Sequence, residues 1–396
     1  MAHGERINKR KENKRRHIVD IFRHHTTLSK AEVKRYSGYS MDTVMNSFKI
    51  LKNSGIIVPT EGKQKEKGRK AFFYTLDHEK QVYLGITFNQ KAIYVSIVSF
   101  SNKILATSKR PIKSNISASE FSNAIINQID EVLAQNPMYK KNLVAVGCSV
   151  PGDIDTKHGI LHSYTLMPQL KEFNFNELLL SKFPNTRLFY DHNISSMISY
   201  VLSTSDITQR YNRIMIVSAR AACAIGLIYK GEIVNSRGEI GHIKVSDSNI
   251  QCICGRKGCL DCYFSYKAFF ELLKKYDSVR QDECYDNIVA VLNKHYSQRT
   301  PDIFEVLDNA LKLFSDALLN VINIYSPDYI LLTGELFEIF NDVVAEIDIH
   351  IKNLFKDTGY ITMYKRAIME FQGMKTETIA HGICLTLIKQ DWGYTV

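Results

Sequence analysis

Gly238-Glu239-Ile240-Gly241-His242 is followed, ten residues after the histidine, by Cys252-Ile253-Cys254-Gly255-Arg256-Lys257-Gly258-Cys259. One imidazole and three thiols within 18 residues can close a tetrahedral zinc shell. Such a shell constrains the chain tightly, because four side chains must converge whatever the rest of the protein does. The two glycines of the cysteine run are what would let the backbone fold the thiolates inward. Four protein ligands leave no open position for water, so the expected zinc is structural. Glu239 sits three residues before His242, and Asp261 two after Cys259, so carboxylates are pinned at the metal's edge. Three buried free thiols beside an unrelated histidine are the plainer alternative.

The remaining cysteines argue against a disulfide framework. Cys262 lies beside the cluster as a bystander, and Cys148, Cys223, Cys284 and Cys384 are scattered. A reducing cytoplasm is the expected compartment. No apolar run approaches the roughly 18–20 residues of a membrane span, and the polar, basic N-terminus lacks the apolar core of a secretory signal.

Charge divides the chain unevenly. Residues 1–70 hold 18 Lys+Arg against 7 Asp+Glu, a net of +11, while the other 326 residues hold 33 and 34, a net of −1. A near-neutral body with a basic head predicts a nucleic-acid-binding head. Its apolar spacing predicts a helix over 13–24 with Ile18, Ile21 and Phe22 inward. Ser29-Lys30-Ala31-Glu32 is a capping box opening a short second helix. After the Ser37-Gly38-Tyr39 turn, Ser40 caps a third helix running to about Asn53. Its stripe is read as Met41, Val44, Met45, Phe48 and Leu51, with Asp42, Thr43, Asn46, Ser47 and Lys49 on the other face. Two helices around a glycine turn, then strands near Ile56–Val58 and Phe72–Leu76, make a helix-turn-helix with a wing. Thr43, Asn46 and Ser47 would face base edges, and Arg15, Arg16, Lys65, Lys67 and Arg69 would reach phosphates.

The body reads as α/β. Strands are expected at Val82–Phe88, Ala92–Phe100, Ile104–Arg110 and Leu143–Ser149, with a helix over 119–134. The plan recurs with strands at Arg213–Val217, Cys223–Tyr229 and Tyr329–Leu332, and helices through much of 264–325. Two halves with a ligand cleft follow.

These residues resemble the ROK family of sugar kinases and repressors over about 80–390. The resemblance rests on Glu-x-Gly-His followed by Cys-x-Cys-Gly-x-x-Gly-Cys. Val150-Pro151-Gly152-Asp153-Ile154-Asp155, Asp191-His192-Asn193 and Ser326-Pro327-Asp328-Tyr329-Ile330 add to it. In the head, Gly68-Arg69-Lys70 and Tyr74-Thr75-Leu76 are similar to the wing end of its repressor branch. The resemblance implies a winged helix-turn-helix followed by a two-lobed actin-like, ribonuclease H-like sugar-kinase fold. It implies zinc ligation by His242, Cys252, Cys254 and Cys259, and sugar contacts from Asp191, Asn193, Glu239, His242 and Asp261. A capping role for Asp191 and a solvated loop role for Glu239 are the plainer alternatives.

Departures from the family matter as much. The kinase phosphate loop Asp-x-Gly-Gly-Thr is here Gly85-Ile86-Thr87-Phe88-Asn89-Gln90-Lys91, without the Asp and the turn glycines. The second loop is Ser218-Ala219-Arg220-Ala221-Ala222-Cys223-Ala224-Ile225-Gly226, and the third motif is reduced to Thr333-Gly334-Glu335. Phosphate cradles need closely approaching backbone N–H groups, which Ala and Arg side chains obstruct. ATP binding is therefore expected to be lost, leaving Asp191 as a vestigial base. The family's Glu is Asp261 here, and its Asn-x-Pro contact is Leu166-Met167-Pro168.

The resulting expectation is a sugar-responsive repressor of carbohydrate-metabolism genes, cytoplasmic and not an enzyme, with structural zinc. It would bind a DNA operator as a homodimer or homotetramer and take a sugar or sugar derivative as effector. The expected division is 1–76 for the winged helix, 80–198 plus 373–396 for one lobe, and 199–372 for the zinc-bearing lobe with its dimerisation helices. A ROK-type hexose kinase using Asp191 as base is the alternative, and a ligand-blind DNA-binding scaffold a third.

Overall fold

A computed structural model describes residues 2–61, 72–275, 281–355 and 367–393. They pack as two compact units, Met1–His162 with Gln169–Asp191 and Ile379–Val396, and Ser163–Pro168 with His192–Thr378.

The first unit begins with the head: helix α1 (Ala2–His24), strand β1 (Leu28–Ser29), helices α2 (Lys30–Ser37) and α3 (Met41–Asn53), and strands β2 (Ile57–Thr60) and β3 (Phe73–Leu76). The strands pair in the order β1-β3-β2. The expected caps form. Ser29 N donates to Glu32 Oε2 at 2.8 Å and Glu32 N to Ser29 Oγ at 3.3 Å. Left-handed Gly38 ends α2, and Ser40 Oγ accepts from Thr43 N at 3.3 Å to start α3. Val44, Ser47, Phe48 and Leu51 form the buried face of α3. The Phe48 ring lies 6.0 Å from that of Phe22 and 5.2 Å from that of Tyr74. These residues are spaced i, i+3, i+4, i+7, as one packed helix face requires.

The rest of this unit is built on β4 (Val82–Phe88), β5 (Ala92–Ser99), β6 (Ile104–Pro111), helices α4 (Ala118–Ala134) and α5 (Pro137–Lys141), and β7 (Leu143–Val150). A small sheet of β8 (Asp153–Asp155), β9 (Ile160–Ser163) and β10 (Phe173–Asn174) precedes α6 (Phe175–Lys182) and β11 (Arg187–His192). The main sheet runs β11-β7-β4-β5-β6, with β4 antiparallel to β5 and parallel to β7.

The second unit carries α7 (Asn193–Thr204), α8 (Ile207–Arg210), β12 (Arg213–Ala219), β13 (Cys223–Tyr229) and β14 (Glu232–Gly238). Then come α9 (Tyr266–Lys274), α10 (Gln281–Ser297), α11 (Pro301–Tyr325), β15 (Tyr329–Thr333), α12 (Val343–Leu354) and β16 (Ile368–Phe371). Its sheet runs β14-β13-β12-β15-β16, again an antiparallel meander followed by a parallel strand beside its first member. The same plan thus occurs twice. The edge strands β14 and β16 carry no buried alternation, so the sequence shows no period there.

Helix α13 (Glu377–Trp392) returns the chain to the first sheet. A Cβ on Gly85 would lie 1.9 Å from the Ala380 carbonyl, and one on Gly147 would lie 2.6 Å from Ile383. Those two glycines let the helix lie directly on β4 and β7. At its far end, Asp391 accepts from Tyr83 Oη at 2.8 Å and from both Arg187 terminal nitrogens at 2.9 and 2.8 Å. Trp392 Nε1 donates to Gln81 at 2.8 Å, and Arg16 of α1 donates to the Gly393 carbonyl at 3.1 Å. The C-terminal helix therefore grips the head.

Candidate metal centre, effector site and nucleic-acid interface

Strand β14 ends at Gly238, and Ile240–His242 makes one tight turn that brings the imidazole back toward the cysteine loop. The loop is closed by isolated bridges Lys244–Cys259 and Gln251–Lys257. Gly258 is left-handed at φ 71°, and a Cβ there would fall 1.9 Å from the Ser246 carbonyl. Only glycine lets the strand of Cys259 approach so closely. The ligand atoms of His242, Cys252, Cys254 and Cys259 lie within 4.8 Å of one another. Cys254 Sγ stands 3.7 Å from Cys259 Sγ, and Cys252 Sγ 3.6 Å from His242 Nδ1. A tetrahedron with Zn–S bonds of about 2.3 Å has S···S edges of roughly 3.8 Å, so the set has the right size for this ion. The cluster could hold a metal, and its thiols and imidazole match zinc. Cys262 stays outside it, its Sγ 3.8 Å from the Ile250 carbonyl.

The backbone N–H of Arg256 pulls the Cys254 thiol down to about 7, while burial pushes Cys259 up to about 12. A bound divalent cation would reverse the second shift. Arg256 also donates to the His242 carbonyl at 2.7 Å.

Asp261 packs inside this loop. Its Oδ1 accepts from Cys223 N at 3.0 Å, and its Oδ2 is 4.0 Å from His242 Nδ1. Burial raises its carboxyl to about 7; the Cys223 N–H opposes this, and the charge of Glu239 adds to it. A Cβ on Gly241 would fall 2.2 Å from Asp261 Oδ1, which explains the glycine before His242. The Asp261–Cys223 tie had no signal in the sequence, because its donor is a backbone group 38 residues away. Glu239 is exposed beside it. Asn193 is the first residue of α7 and half-buried; Asp191 lies in β11, and His192, not Asp191, holds the cap position. A cavity of about 380 Å³ lies in the second unit, lined by Thr165, Ala221, Ala222, Asp261, Ser265 and Phe269 among others. Small-molecule sites occupy roughly 300–1,000 Å³.

The turn between β12 and β13 holds Arg220. Its guanidinium donates to Thr376 Oγ1 at 3.0 Å and to the Met374 carbonyl at 2.5 Å. The β4–β5 turn is tied by Asn89 Oδ1, which accepts from Lys91 N and Ala92 N at 2.9 and 3.0 Å.

In the head, the structure corrects the expected stripe of α3. Ser47 is only 6% exposed and cannot face bases; Met41 and Met45, expected inward, are 39% and 47% exposed. The helix is turned so that the small Ser47 sits at the packed seam. Leaving each methionine in water forgoes roughly 1.5–3 kcal/mol of burial. Asn46 is exposed and Thr43 half-buried, its hydroxyl 3.0 Å from that of Ser40. Arg16 is engaged by Gly393 and by Glu12 at 2.7 Å. Arg15 lines a groove of about 500 Å³ between α1, α3 and α13. Lys65, Lys67 and Arg69 lie outside the described residues.

Comparison with known proteins gives one family and two kinds of relative. The profile of the ROK family matches residues 83–368. The xylose repressor of Bacillus subtilis (strain 168) is 22% identical over 81% of this chain and 82% of its own. The DNA-binding transcriptional dual regulator NagC of Escherichia coli (strain K12) is 24% identical over 78% and 77%. Among solved structures, a ROK family transcriptional regulator, a homolog of the E. coli MLC protein, superposes with a TM-score of 0.71 at 15% identity. That match covers 97% of this chain and 96% of the other.

Proposed function

The chain belongs to the ROK family, and on that premise we propose that it is a sugar-responsive transcriptional repressor of carbohydrate-metabolism genes, not a sugar kinase. The observation that carries this reading is the capped, outward-facing α3 of a winged helix, joined to a family body whose relatives include the xylose repressor and NagC. The fold of a ROK regulator is matched over nearly the whole chain, head included.

In this reading residues 1–76 bind an operator from the cytoplasm, as a dimer reading two half-sites or as a tetramer. Asn46 and Thr43 stand at the bases. Arg15 and the wing cations Lys65, Lys67 and Arg69 hold phosphates. His242, Cys252, Cys254 and Cys259 hold zinc, which when bound fixes the loop structurally. Fixing that loop places Glu239 and Asp261 for sugar hydroxyls, which carboxylates accept well. Asp191, Asn193 and His242 complete the sugar contacts. Asp261 has one oxygen already committed to Cys223, so it offers less than a free glutamate would. Arg220 occupies the β12–β13 turn, the stretch read as departing from the second phosphate loop, and its ties to Met374 and Thr376 support a reading without phosphoryl transfer.

The test is fluorescence anisotropy of the full chain on operators selected from a random-sequence duplex library. A panel of xylose, glucose, N-acetylglucosamine and their phosphates is then added, and ATP-dependent turnover is assayed in parallel. One sugar should release the operator and none should be phosphorylated. Turnover abolished by Asp191→Asn would overturn the repressor-only reading.

A further inference from the structure

We infer that α3 reads its half-site at A·T pairs, with Met41 and Met45 against thymine methyls and Asn46 on adenine. The inference rests on the DNA-binding reading above and deepens it. In a helix-turn-helix the N-terminal half of the second helix meets the base edges. That half of α3 turns outward Met41, Asp42, Met45 and Asn46, with Lys49 one turn further on. Met41 and Met45 are spaced i, i+4, so they lie side by side on one outer ridge. Both are more than a third exposed, while Ser47 is buried.

Side-chain chemistry then decides among the bases. The commonest specific contact, Arg or Lys on guanine O6 and N7, has neither residue to make it in the N-terminal half of α3, Met41–Asn46. The cations of α3, exposed Lys49 and Lys52, lie in its second half, where they suit phosphates. A thioether side chain cannot donate to a base; what it can contact is the C5 methyl that only thymine presents in the major groove. Asn46 can bond adenine N6 and N7 together. Asp42, the one carboxylate of the face, can accept from the amino group of cytosine or of adenine, so at most one C·G pair joins the A·T run.

Thymine-to-deoxyuridine exchange tests this directly, because it removes the methyl and keeps the pairing. The full chain is used with duplexes selected from a random library at fixed salt. Half-sites should centre on A·T pairs. Deoxyuridine under α3 should weaken binding roughly fourfold per contacted methyl, the equivalent of about 0.8 kcal/mol. Met45→Ala should no longer distinguish deoxyuridine from thymine at the position Met45 contacts, while its non-specific binding stays unchanged. Asn46→Ala should lose roughly five- to 100-fold of the preference for adenine at one position. Met45 is exposed, so folding should survive, and circular dichroism checks that. Selection of G·C-centred half-sites overturns the inference. So does indifference of the wild-type chain to deoxyuridine, or an equal loss on every sequence for Met45→Ala. If Met45→Asp instead dissociates a dimer without changing sequence preference, the face is a subunit contact and the inference falls alone. Failure to bind any duplex removes the DNA-binding reading together with it.

Discussion

At the residue scale, the cysteine loop shows how much a few positions decide. Cys254 is exposed, its thiol is already drawn down toward neutrality, and it stands at tetrahedral-edge distance from Cys259. Replacing it by serine removes a thiolate ligand but hardly changes volume. Cys254→Ser should therefore lower zinc content and thermal stability together, as read by metal analysis and calorimetry; an unchanged zinc stoichiometry would refute the ligand set. His381 makes a separate prediction. It is 6% exposed in α13, and burial lowers its pKa to about 4. The unfolded chain then binds the extra proton first, so stability is full above the ordinary histidine pKa of about 6.5 and falls as pH drops toward 4. The shift corresponds to on the order of 3 kcal/mol. Urea melts of wild type and His381→Gln across pH 4.5–7.5 should diverge below pH 6.5, with the variant flatter; parallel curves would rule the histidine out. The cluster of His242, Cys252, Cys254 and Cys259 was legible because its spacing is local. The Cys223 amide that takes up Asp261 was not, since nothing in a sequence reports which backbone N–H a carboxylate will find.

At the element scale, helix ends proved easier to read than helix faces. Ser29, Ser40 and Glu32 announce their caps by residue type alone, and the capping box forms with both of its hydrogen bonds. Hydrophobicity alone assigns the methionines of α3 inward, whereas its buried face is Val44, Ser47, Phe48 and Leu51, with Phe48 packed on Phe22 and Tyr74. Edge strands β14 and β16 were missed because they lack a buried face. Helix α13 carries the element-scale prediction. Asp391 holds Tyr83 and Arg187 at once, so Asp391→Ala leaves a mostly buried tyrosine hydroxyl without its acceptor. Burial already drives Tyr83 well above the ordinary phenol range. The expected cost is about 1–3 kcal/mol in urea unfolding. Because Arg187 acts through the same carboxylate, the Arg187→Ala/Asp391→Ala pair should cost clearly less than the two single changes together. Additive losses would mean that the carboxylate does not link the two groups.

At the scale of the whole molecule, the chain crosses between its two units next to residues that carry proposed roles. One crossing falls between Asp191 and His192, one residue from Asn193; another falls at Thr378, inside the helix that ends against the head. Arg220 ties Met374 and Thr376 just before that helix begins. A sugar that alters the second unit therefore has a covalent route, through α13, to the Asp391–Trp392–Gly393 contacts that hold α1. For such a route to regulate, the sugar must bind the DNA-competent state more weakly than its alternative. Linkage then fixes a quantitative expectation. Whatever factor the sugar removes from operator affinity, the operator must remove from sugar affinity, typically 5–150-fold for a coupling of about 1–3 kcal/mol. Calorimetry of sugar binding with and without saturating operator, set beside operator titrations with and without sugar, should return the same factor from both sides. Asp391→Ala should shrink both factors equally if α13 transmits the coupling, and should leave both unchanged if it serves stability alone. Unequal factors in the wild-type chain would show that the sugar acts by another route, such as competition for the DNA surface or a change of oligomeric state.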